Sequence, residues 1–370
     1  MIVEVITKAQ ERQFLALPKR IYADDDNWIC PLDRDIKQVF DPKQNNFHRH
    51  GVCCRWVLFR DGQAVGRIAA FINKNTAYKK EHATGGIGFF ECINNEEAAN
   101  ELFDVAKNWL AAQGMQAMEG PINFGENDNF WGLLIEGFSS PSYGMNYHKP
   151  YYKQLFLNYG FEIAYEQITN HLDVNKPFPE RFTRIAKWVI KKPGYTFKHF
   201  QKNNLTQFAK DFMEIYNDAW GSFENFQPIQ MQTILESFKK MKLIMDEQLI
   251  WFAYVNGEPA SFILILPDTN QIIRDFNGKM NLWNSLQFLL NRHKKVNRMR
   301  AVVMGTKKTY QKHGLESALF IKLKEYVLAL KKYDQLELSW VGDFNKEMLA
   351  IHKATGAQFG KKHATLNYVF

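Results

Sequence analysis

The stretch Arg300-Ala-Val-Val-Met-Gly-Thr-Lys-Lys-Thr-Tyr-Gln-Lys-His-Gly-Leu-Glu-Ser-Ala-Leu319 joins three local patterns. The apolar run at residues 301–304 ends at Gly305 and predicts a buried strand. A basic loop follows at residues 307–314, and from Leu315 apolar residues recur every three or four positions, which predicts an amphipathic helix. A strand that leads through a tight loop into a helix directs free backbone N–H groups and the positive end of the helix dipole to one point. The stretch therefore predicts a phosphate-binding site.

The same residues resemble the acyl-CoA pyrophosphate loop of the GNAT (N-acetyltransferase) superfamily, written [Gln/Arg]-x-x-Gly-x-[Gly/Ala]. Gln311 and Gly314 match this pattern, whereas Glu316 stands where the family has Gly or Ala. An acid in the first turn of a helix also favours the helix dipole, which gives Glu316 a purely structural explanation. The resemblance implies that acyl-CoA is the donor. It further implies a set of cofactor-binding residues: Met304, Thr306, Lys308, Gln311, Lys312, His313, Gly314, Leu315, Glu316, Ser317 and Asn345.

A second motif, at residues 345–357, resembles the helix and turn that close the GNAT fold. Asn345 is suited to begin the helix and Gly356 to end it. His352 stands where the family carries a tyrosine that protonates the departing thiolate, so the resemblance implies His352 as the acid. For the base that accepts the proton of the amine, we consider Asp275 and Glu337, which we expect on strands beside the central one. Both carboxylates could equally be partners in surface ion pairs.

Landmarks along the chain recur at a spacing of about 195 residues. The repeated pairs are Ile21-Tyr22 with Ile215-Tyr216, the turn Asp61-Gly62 with Asn256-Gly257, and Gly160 with Gly356. Asp-Gly and Asn-Gly between apolar runs predict β-hairpins. We therefore predict an α+β protein with two tandem GNAT-like domains, each a mixed, mostly antiparallel twisted sheet flanked by helices. The expected limits are 1–170 for the first domain, 171–194 for a linker with a basic helix, and 195–370 for the second domain with the acyl-CoA site.

The first copy differs from the second in its loops. It has no basic loop or Gln-x-x-Gly pattern, and Phe156 occupies the position equivalent to His352, so we expect it to be chemically silent toward acyl-CoA. It carries instead an insertion at residues 120–152 that is rich in Gly, Asn and aromatic residues, which is typical of ligand-binding loops but also of a packing cover between the copies. The loop at residues 220–228 of the second copy is aromatic too. The expected acceptor-binding residues are Trp220, Phe223, Phe226, Trp131 and Tyr147.

The net charge of +8 is unevenly distributed. Residues 1–170 hold 17 basic and 21 acidic residues, whereas residues 279–332 hold 13 basic residues and two acids. This basic region could be a solvated surface or a groove for a polyanion, either the phosphates of coenzyme A or RNA. The four cysteines show no metal-ligand spacing, so we expect no metal site and a cytoplasmic location.

Three functions remain compatible with the sequence. The first is an acyl-CoA-dependent transferase that acylates a small-molecule or peptide amine. The second is an aminoacyl-tRNA-dependent transferase of the tandem GNAT-like type, and the third is a non-enzymatic binding protein with the same fold. No run of eighteen apolar residues exists, and we expect no membrane partner.

Overall fold

One mixed sheet forms the centre of the molecule. The computed structural model describes residues 1–221, 228–292 and 294–370. Within these ranges the sheet has the strand order β1-β2-β3-β4-β5-β13-β7-β12-β11-β10-β9-β8, and β6 pairs with β13 beside this path. The strands are β1 (Ile2–Glu4), β2 (Gly51–Arg60), β3 (Gln63–Asn73), β4 (Thr84–Cys92), β5 (Ala117–Gly120), β6 (Leu133–Glu136), β7 (Glu162–Asp173), β8 (Tyr195–His199), β9 (Ile250–Val255), β10 (Glu258–Pro267), β11 (Arg298–Thr306), β12 (Gln335–Gly342) and β13 (Gln358–Val369).

Helices cover both faces of the sheet because successive strand residues point to opposite sides and both sides are apolar. In β10, Phe262 and Leu264 pack in one buried cluster with the sixth and seventh helices, whereas Ile263 and Ile265 pack in another with the tenth. The helices are α1 (Lys8–Ile21), α2 (Asp33–Val39), α3 (Glu96–Ala112), α4 (Tyr152–Tyr159), α5 (Glu180–Ile190), α6 (Leu205–Trp220), α7 (Met231–Met241), α8 (Asn270–Ile273), α9 (Leu282–Asn291), α10 (Leu315–Leu330) and α11 (Lys346–Ala354).

The two halves of the chain repeat one order of elements, so the predicted α+β class and internal duplication are confirmed. Each half has two helices, a β-hairpin, a third strand, a helix and a short parallel strand. The hairpin turns are the predicted ones. Asp61 and Gly62 have φ of 48° and 74°, and Asn256 and Gly257 have φ of 51° and 87°. Positive φ at both central residues matches the right-handed twist of the flanking strands. The predicted domain limits stay a prediction.

The halves exchange their last strands. β13, from the second half, lies between β5 and β7 of the first half, and β7 in turn lies between β13 and β12. β7 and β13 run antiparallel, with pairs from Gln358 opposite His171 to Asn367 opposite Glu162. Each half therefore needs a strand of the other to complete its sheet. The sheet continues through the whole molecule without a break at the middle of the chain.

Each half also contains one pair of parallel strands that separate after a few residues. β4 and β5 pair from Thr84 opposite Ala117 to Gly86 opposite Glu119. β11 and β12 pair from Arg298 opposite Gln335 to Ala301 opposite Leu338. Beyond Ala301 and Leu338 no further β11–β12 pair occurs among the described residues, which leaves an opening between these two strands in the second half.

Candidate functional site

The opening between β11 and β12 is the candidate site in the second half. β11 continues past Ala301 to Thr306 without pairing to β12. A β-bulge lies at the same point, because Leu264 of β10 pairs with Val303 and Ile265 pairs with Ala301. Val302 therefore has no partner residue in either neighbouring strand of the described sheet. Bulges occur often beside active sites, where they turn backbone polar groups away from the ladder.

The start of α10 lies at one edge of this opening. Gly314 precedes the helix with φ of 76°, a conformation that favours glycine, and a Cβ there would lie 3.0 Å from Ile185. The backbone N–H groups of Leu315, Glu316 and Ser317 have no acceptor among the described residues. Free N–H groups at the positive end of a helix dipole bind phosphate oxygens. These groups are therefore available to bind an anion.

The loop before α10 is open to solvent. Its residues Gln311, Lys312 and His313 are exposed, and the Nδ1 atom of His313 lies 3.0 Å from the hydroxyl of Tyr195. Lys308 has an exposed side chain, while its backbone N–H donates to Asp218 at 2.7 Å. The expected cofactor loop thus lies at the surface next to the opening, with its basic side chains accessible to an anion.

Glu316, in the first turn of α10, is negatively charged and would repel an anion bound at the start of this helix. Its carboxylate accepts a hydrogen bond of 2.6 Å from the Thr306 hydroxyl, which also lies 2.8 Å from the Ser261 hydroxyl. Thr306 ends β11 and Glu316 lies in the first turn of α10, so the carboxylate bridges the strand end and the helix start. A negative charge held there repels a diphosphate at the same helix terminus.

His352 lies at the apex of the opening. It is buried on α11, and its Nδ1 atom lies 3.1 Å from the amide nitrogen of Asn170. Asn170 is paired with Leu338, the last residue of β12 that pairs with β11. Burial lowers the pKa of His352 to about 4, so the ring is neutral at pH 7. If Asn170 donates to Nδ1, the ring proton is on Nε2.

Neither of the two acids considered as the base is well placed for that role. Asp275 lies elsewhere than expected, and the surroundings of Glu337 are unsuitable. Asp275 was expected on a strand, and this is wrong: it is exposed in a short 3₁₀ helix at Arg274–Phe276. The strand ends at Pro267 because the Asp268 carboxylate accepts from the Arg298 side chain and from the Asn270 N–H, which turns the chain into α8.

Glu337 does lie on β12, beside the central strand of the second half, but it is buried in an ion-pair cluster. Its carboxylate is 3.3 Å from the Lys361 ammonium and 3.8 Å from the Arg300 guanidinium. Burial by itself would raise the pKa of Glu337, but Lys361, Arg300 and His171 outweigh burial and lower it to about 2. A buried carboxylate with such a low pKa is a weak proton acceptor, so Glu337 is unsuited to the role of base.

The expected acceptor-binding aromatics are divided among several places. Trp220 lies against β11, where a Cβ at Gly305 would be 2.5 Å from its ring, and it stacks on Tyr216 at 4.5 Å. Trp131 donates from its indole to the Tyr165 hydroxyl at 3.0 Å. Tyr147 belongs to the first half, where its hydroxyl donates to Asp25. Phe223 and Phe226 lie outside the described residues.

Two further residues of the expected cofactor-binding set, Met304 and Asn345, have clear structural positions. Met304 is partly buried against the cluster that contains α10. Asn345 caps α11, as predicted, by accepting from the Met348 N–H at 3.1 Å. Asn345 thereby fixes the start of the helix that carries His352.

The insertion of the first half is anchored to the second half by hydrogen bonds. The Tyr143 N–H donates to Asp268 at 3.0 Å, and the Tyr143 carbonyl accepts from Arg300 at 2.8 Å. Asn270 donates to the Pro141 carbonyl at 2.9 Å. The insertion is therefore a cover between the halves, as one interpretation of the sequence held. It also brings further side chains to the second half.

Glu126 and Asp128, at the tip of this insertion, are site candidates that the sequence did not reveal. Both side chains are exposed, yet partial desolvation by neighbouring residues raises the pKa of each carboxyl. Arg300 partly offsets this effect for Asp128. Both acids lie close enough to Tyr216 of α6 to raise the pKa of its hydroxyl further, beyond the effect of burial. The signal in the sequence that could have identified them is the presence of two acidic residues within the aromatic insertion.

The equivalent opening in the first half is closed. The Ile122 N–H donates to the Ile87 carbonyl at 2.8 Å, and a Cβ at Gly88 would lie 1.9 Å from the Ile122 carbonyl oxygen. The Cys92 N–H donates to the Tyr152 hydroxyl at 3.2 Å. The insertion and Tyr152 thus close the space between β4 and β5 in the first half.

A small cavity of about 50 Å³ remains in the first half, enough for a few waters. Glu91 lies on its wall and accepts hydrogen bonds from Tyr22 at 2.9 Å and Tyr152 at 2.7 Å. Burial raises the pKa of Glu91, although Arg67 at 3.6 Å opposes this. The cavity is far smaller than the several hundred Å³ of a usual ligand pocket.

Known proteins are similar in sequence to this chain over almost its whole length. No protein-family model matches the chain. A protein named bacterial ceramide synthase, from Caulobacter vibrioides, is 30% identical over 369 residues, which cover 98% of this chain and 95% of that protein. The chain belongs to the same family as this bacterial ceramide synthase. Protein YghO of Escherichia coli is 27% identical over 365 residues, covering 97% of this chain and 92% of YghO.

Solved structures show the same fold. A tandem GNAT protein from the clavulanic acid biosynthesis pathway superposes with a TM-score of 0.60 at 12% identity, covering 100% of this chain and 98% of the other. A GCN5-related N-acetyltransferase from Sphaerobacter thermophilus superposes with a TM-score of 0.57 at 10% identity, covering 100% and 95%. The chain thus has the tandem GNAT fold, and the predicted resemblance in fold is confirmed. None of the helices in the described ranges is long and apolar enough to cross a membrane.

Proposed function

We propose that this protein is an N-acyltransferase that moves a fatty acyl group from acyl-CoA to the amine of a long-chain amino alcohol. The GNAT fold and the family relationship support acyl transfer in general. The name of the Caulobacter relative supports the acceptor, because a ceramide is the amide of a fatty acid and a long-chain amino alcohol. The RNA-dependent alternative has no further support from the described site.

The observation that carries the proposal is the opening between β11 and β12, which has different surroundings on its two sides. The α10 side has free N–H groups and exposed basic residues and suits an anionic donor. On the α6 side lie Trp220, Tyr216 and the acids Glu126 and Asp128, which suit a cationic amine with an apolar chain. Donor and acceptor therefore approach from opposite sides and meet at Val302.

Acyl-CoA would supply an activated thioester carbonyl at this point. The bound ammonium first loses one proton to become a neutral amine. The amine nitrogen then forms a bond to the acyl carbon, the carbon–sulfur bond breaks, the nitrogen gives up a second proton and the thiolate gains one. An amine with a pKa of about 10.4 is roughly 1 part in 2,500 neutral at pH 7, a handicap of about 4.6 kcal/mol. We assign the acceptance of this proton to Asp128, since its raised pKa makes it a better base than an ordinary aspartate.

His352 has a smaller role in the proposed reaction. A thiol with a pKa of about 8.5 leaves readily, so little acid assistance is needed. A neutral ring with its proton on Nε2 can donate one hydrogen bond to the departing sulfur. Val302 has no partner residue in β10 or β12, so its backbone N–H is the group that would donate a hydrogen bond to the acyl carbonyl oxygen.

The direct test is amide formation from palmitoyl-CoA and sphinganine, measured by mass spectrometry with the purified protein. Wild type should form the amide, and Asp128→Asn should lower kcat by about 10²-fold or more at pH 7, the usual contribution of a general base. The defect should shrink by about tenfold per pH unit above 7, because the neutral amine fraction then rises without help.

Asp61→Asn is the matched control. It is the same substitution in the β2–β3 turn, where the equivalent turn of the second half already has Asn256, and it should leave kcat unchanged. An unchanged kcat in Asp128→Asn would exclude Asp128 as the base. No amide from any pairing of acetyl-, octanoyl- or palmitoyl-CoA with sphinganine or a short amino alcohol would refute the proposed function.

A further inference from the structure

α9 is an addition to the second half that the fold does not need. The connection from β10 to β11 spans residues 268–297, whereas the equivalent connection from β3 to β4 spans residues 74–83. Most of the added length is α9 and its flanks. No residue of α9 is buried, although six of its ten residues are apolar. A helix on a protein surface normally buries its apolar stripe, so the exposed apolar residues of α9 indicate a surface that interacts with another molecule.

The exposed apolar residues of α9 form one continuous face. At 100° per residue they fall within an arc of about 120°, while Phe288 lies outside this arc and packs against the core of the second half. The members and their exposed fractions are Leu282 at 92%, Trp283 at 64%, Leu286 at 47%, Leu289 at 45% and Leu290 at 63%. We call these five residues the α9 face.

A basic rim surrounds the α9 face. Lys279 precedes the helix, and Lys294 and Lys295 follow it; all three side chains are exposed. Arg292 donates to the Leu243 carbonyl at 2.8 Å, so the exposed Leu243 adjoins the end of the helix. The exposed Lys240 and Lys242 lie beside Leu243 in the sequence. No acidic residue occurs between residues 276 and 315.

We propose that the α9 face and its basic rim dock on the surface of an anionic phospholipid bilayer. An apolar face rimmed by lysine and arginine is the pattern of a helix that lies in the membrane interface, with its leucine and tryptophan side chains among the acyl chains. The rim complements the negative charge of the lipid headgroups. α9 has ten residues, about half of what is needed to span a bilayer, so it lies on the membrane and does not cross it.

A second copy of the chain is a less suitable occupant. In a symmetric dimer through the α9 face, the same rim would meet itself, and its lysines would face each other. The proposal departs from the expectation, made from the sequence, that the protein has no membrane partner. It does not rest on the proposed acyl transfer, since vesicle binding is measured without donor or acceptor.

Co-sedimentation with vesicles tests the proposal. Wild type should pellet with vesicles of phosphatidylglycerol and phosphatidylcholine, and less so at high salt, where the charges are screened. It should bind vesicles of phosphatidylcholine alone about tenfold more weakly. The double variant Trp283→Glu with Leu286→Glu should bind the anionic vesicles about tenfold more weakly or worse. Both positions are exposed, so its thermal midpoint should equal that of wild type.

Trp188→Glu is the matched control. Trp188 lies on α5, is 62% exposed as against 64% for Trp283, and stacks on Lys192 at 5.0 Å. Its substitution should leave vesicle binding unchanged. The proposal is overturned if wild type binds neither vesicle, or if the α9 variant binds as well as wild type. It is also overturned if Trp188→Glu lowers binding as much as the α9 variant does. A wild-type dimer that the α9 variant splits, without any vesicle binding, would assign the face to a second copy.

Discussion

Replacing Glu316 by glutamine should tighten the binding of coenzyme A. The carboxylate accepts from the Thr306 hydroxyl at 2.6 Å, and the glutamine amide can keep this hydrogen bond while losing the charge. One unit charge about 5 Å from another contributes about 0.8 kcal/mol at a dielectric constant of 80 and about 3 kcal/mol at 20. Because Glu316 is partly exposed, we expect a gain of about 1 kcal/mol, or about fivefold in Kd.

Isothermal titration calorimetry with coenzyme A measures this change. Glu325→Gln is the control on the same helix: it is nine residues further along, about 13 Å by helical rise, and its carboxylate pairs with Lys322. That distance exceeds the screening length of about 8 Å at physiological salt, so its Kd should stay that of wild type. The advantage of Glu316→Gln should disappear at about 1 M salt. Equal or weaker binding by Glu316→Gln at low salt would refute the assignment of this helix start to the pyrophosphate.

Two further predictions concern stability. Lys361→Met should lower the free energy of unfolding by about 3–5 kcal/mol in urea titration, because it removes the nearest cation from the buried Glu337 carboxylate. Lys362→Met, on the opposite face of β13, should cost about 0–1 kcal/mol. Equal effects would contradict a buried ion pair. Burial lowers the pKa of His352 to about 4, so the unfolded chain takes up its proton first and stability should fall as pH drops from about 6.5 to 4. In His352→Gln the thermal midpoint should fall less steeply with pH than in wild type, whereas His82→Gln, at an exposed position, should behave like wild type. Parallel curves of thermal midpoint against pH for wild type and both variants would contradict the lowered pKa of His352.

Much of the site could be predicted from local sequence. The strand before Gly305, the helix that starts at Leu315 and the cap at Asn345 lie where the patterns indicate. Each depends on residues within a few positions: an apolar period, a glycine in the left-handed region, or a side chain that accepts from the third residue of a helix. The hairpin turns at Asp61 and Asn256 belong to the same class.

The misplaced residues all depend on distant partners. Asp275 lies beyond a strand that ends early, because Asp268 is engaged by Arg298, thirty positions away. Tyr147 binds Asp25 in the first half and therefore does not reach the expected acceptor site. Glu337 is surrounded by cations from β11 and β13, so its pKa is opposite to what a base needs. None of these contacts produces a periodic pattern in the sequence.

The sequence alone determined the two repeated units, the exposed basic loop before α10 and the helix that follows it, because short-range periodicity, turn chemistry and composition encode these features. Only the tertiary structure decided that β7 and β13 exchange places and that the insertion of one half brings Asp128 toward Arg300 of the other. The α9 face likewise became visible only in three dimensions, since the same apolar period describes a helix packed in a core and one open to solvent. Which neighbour covers a face depends on chain segments far away in sequence, and local patterns carry no record of them.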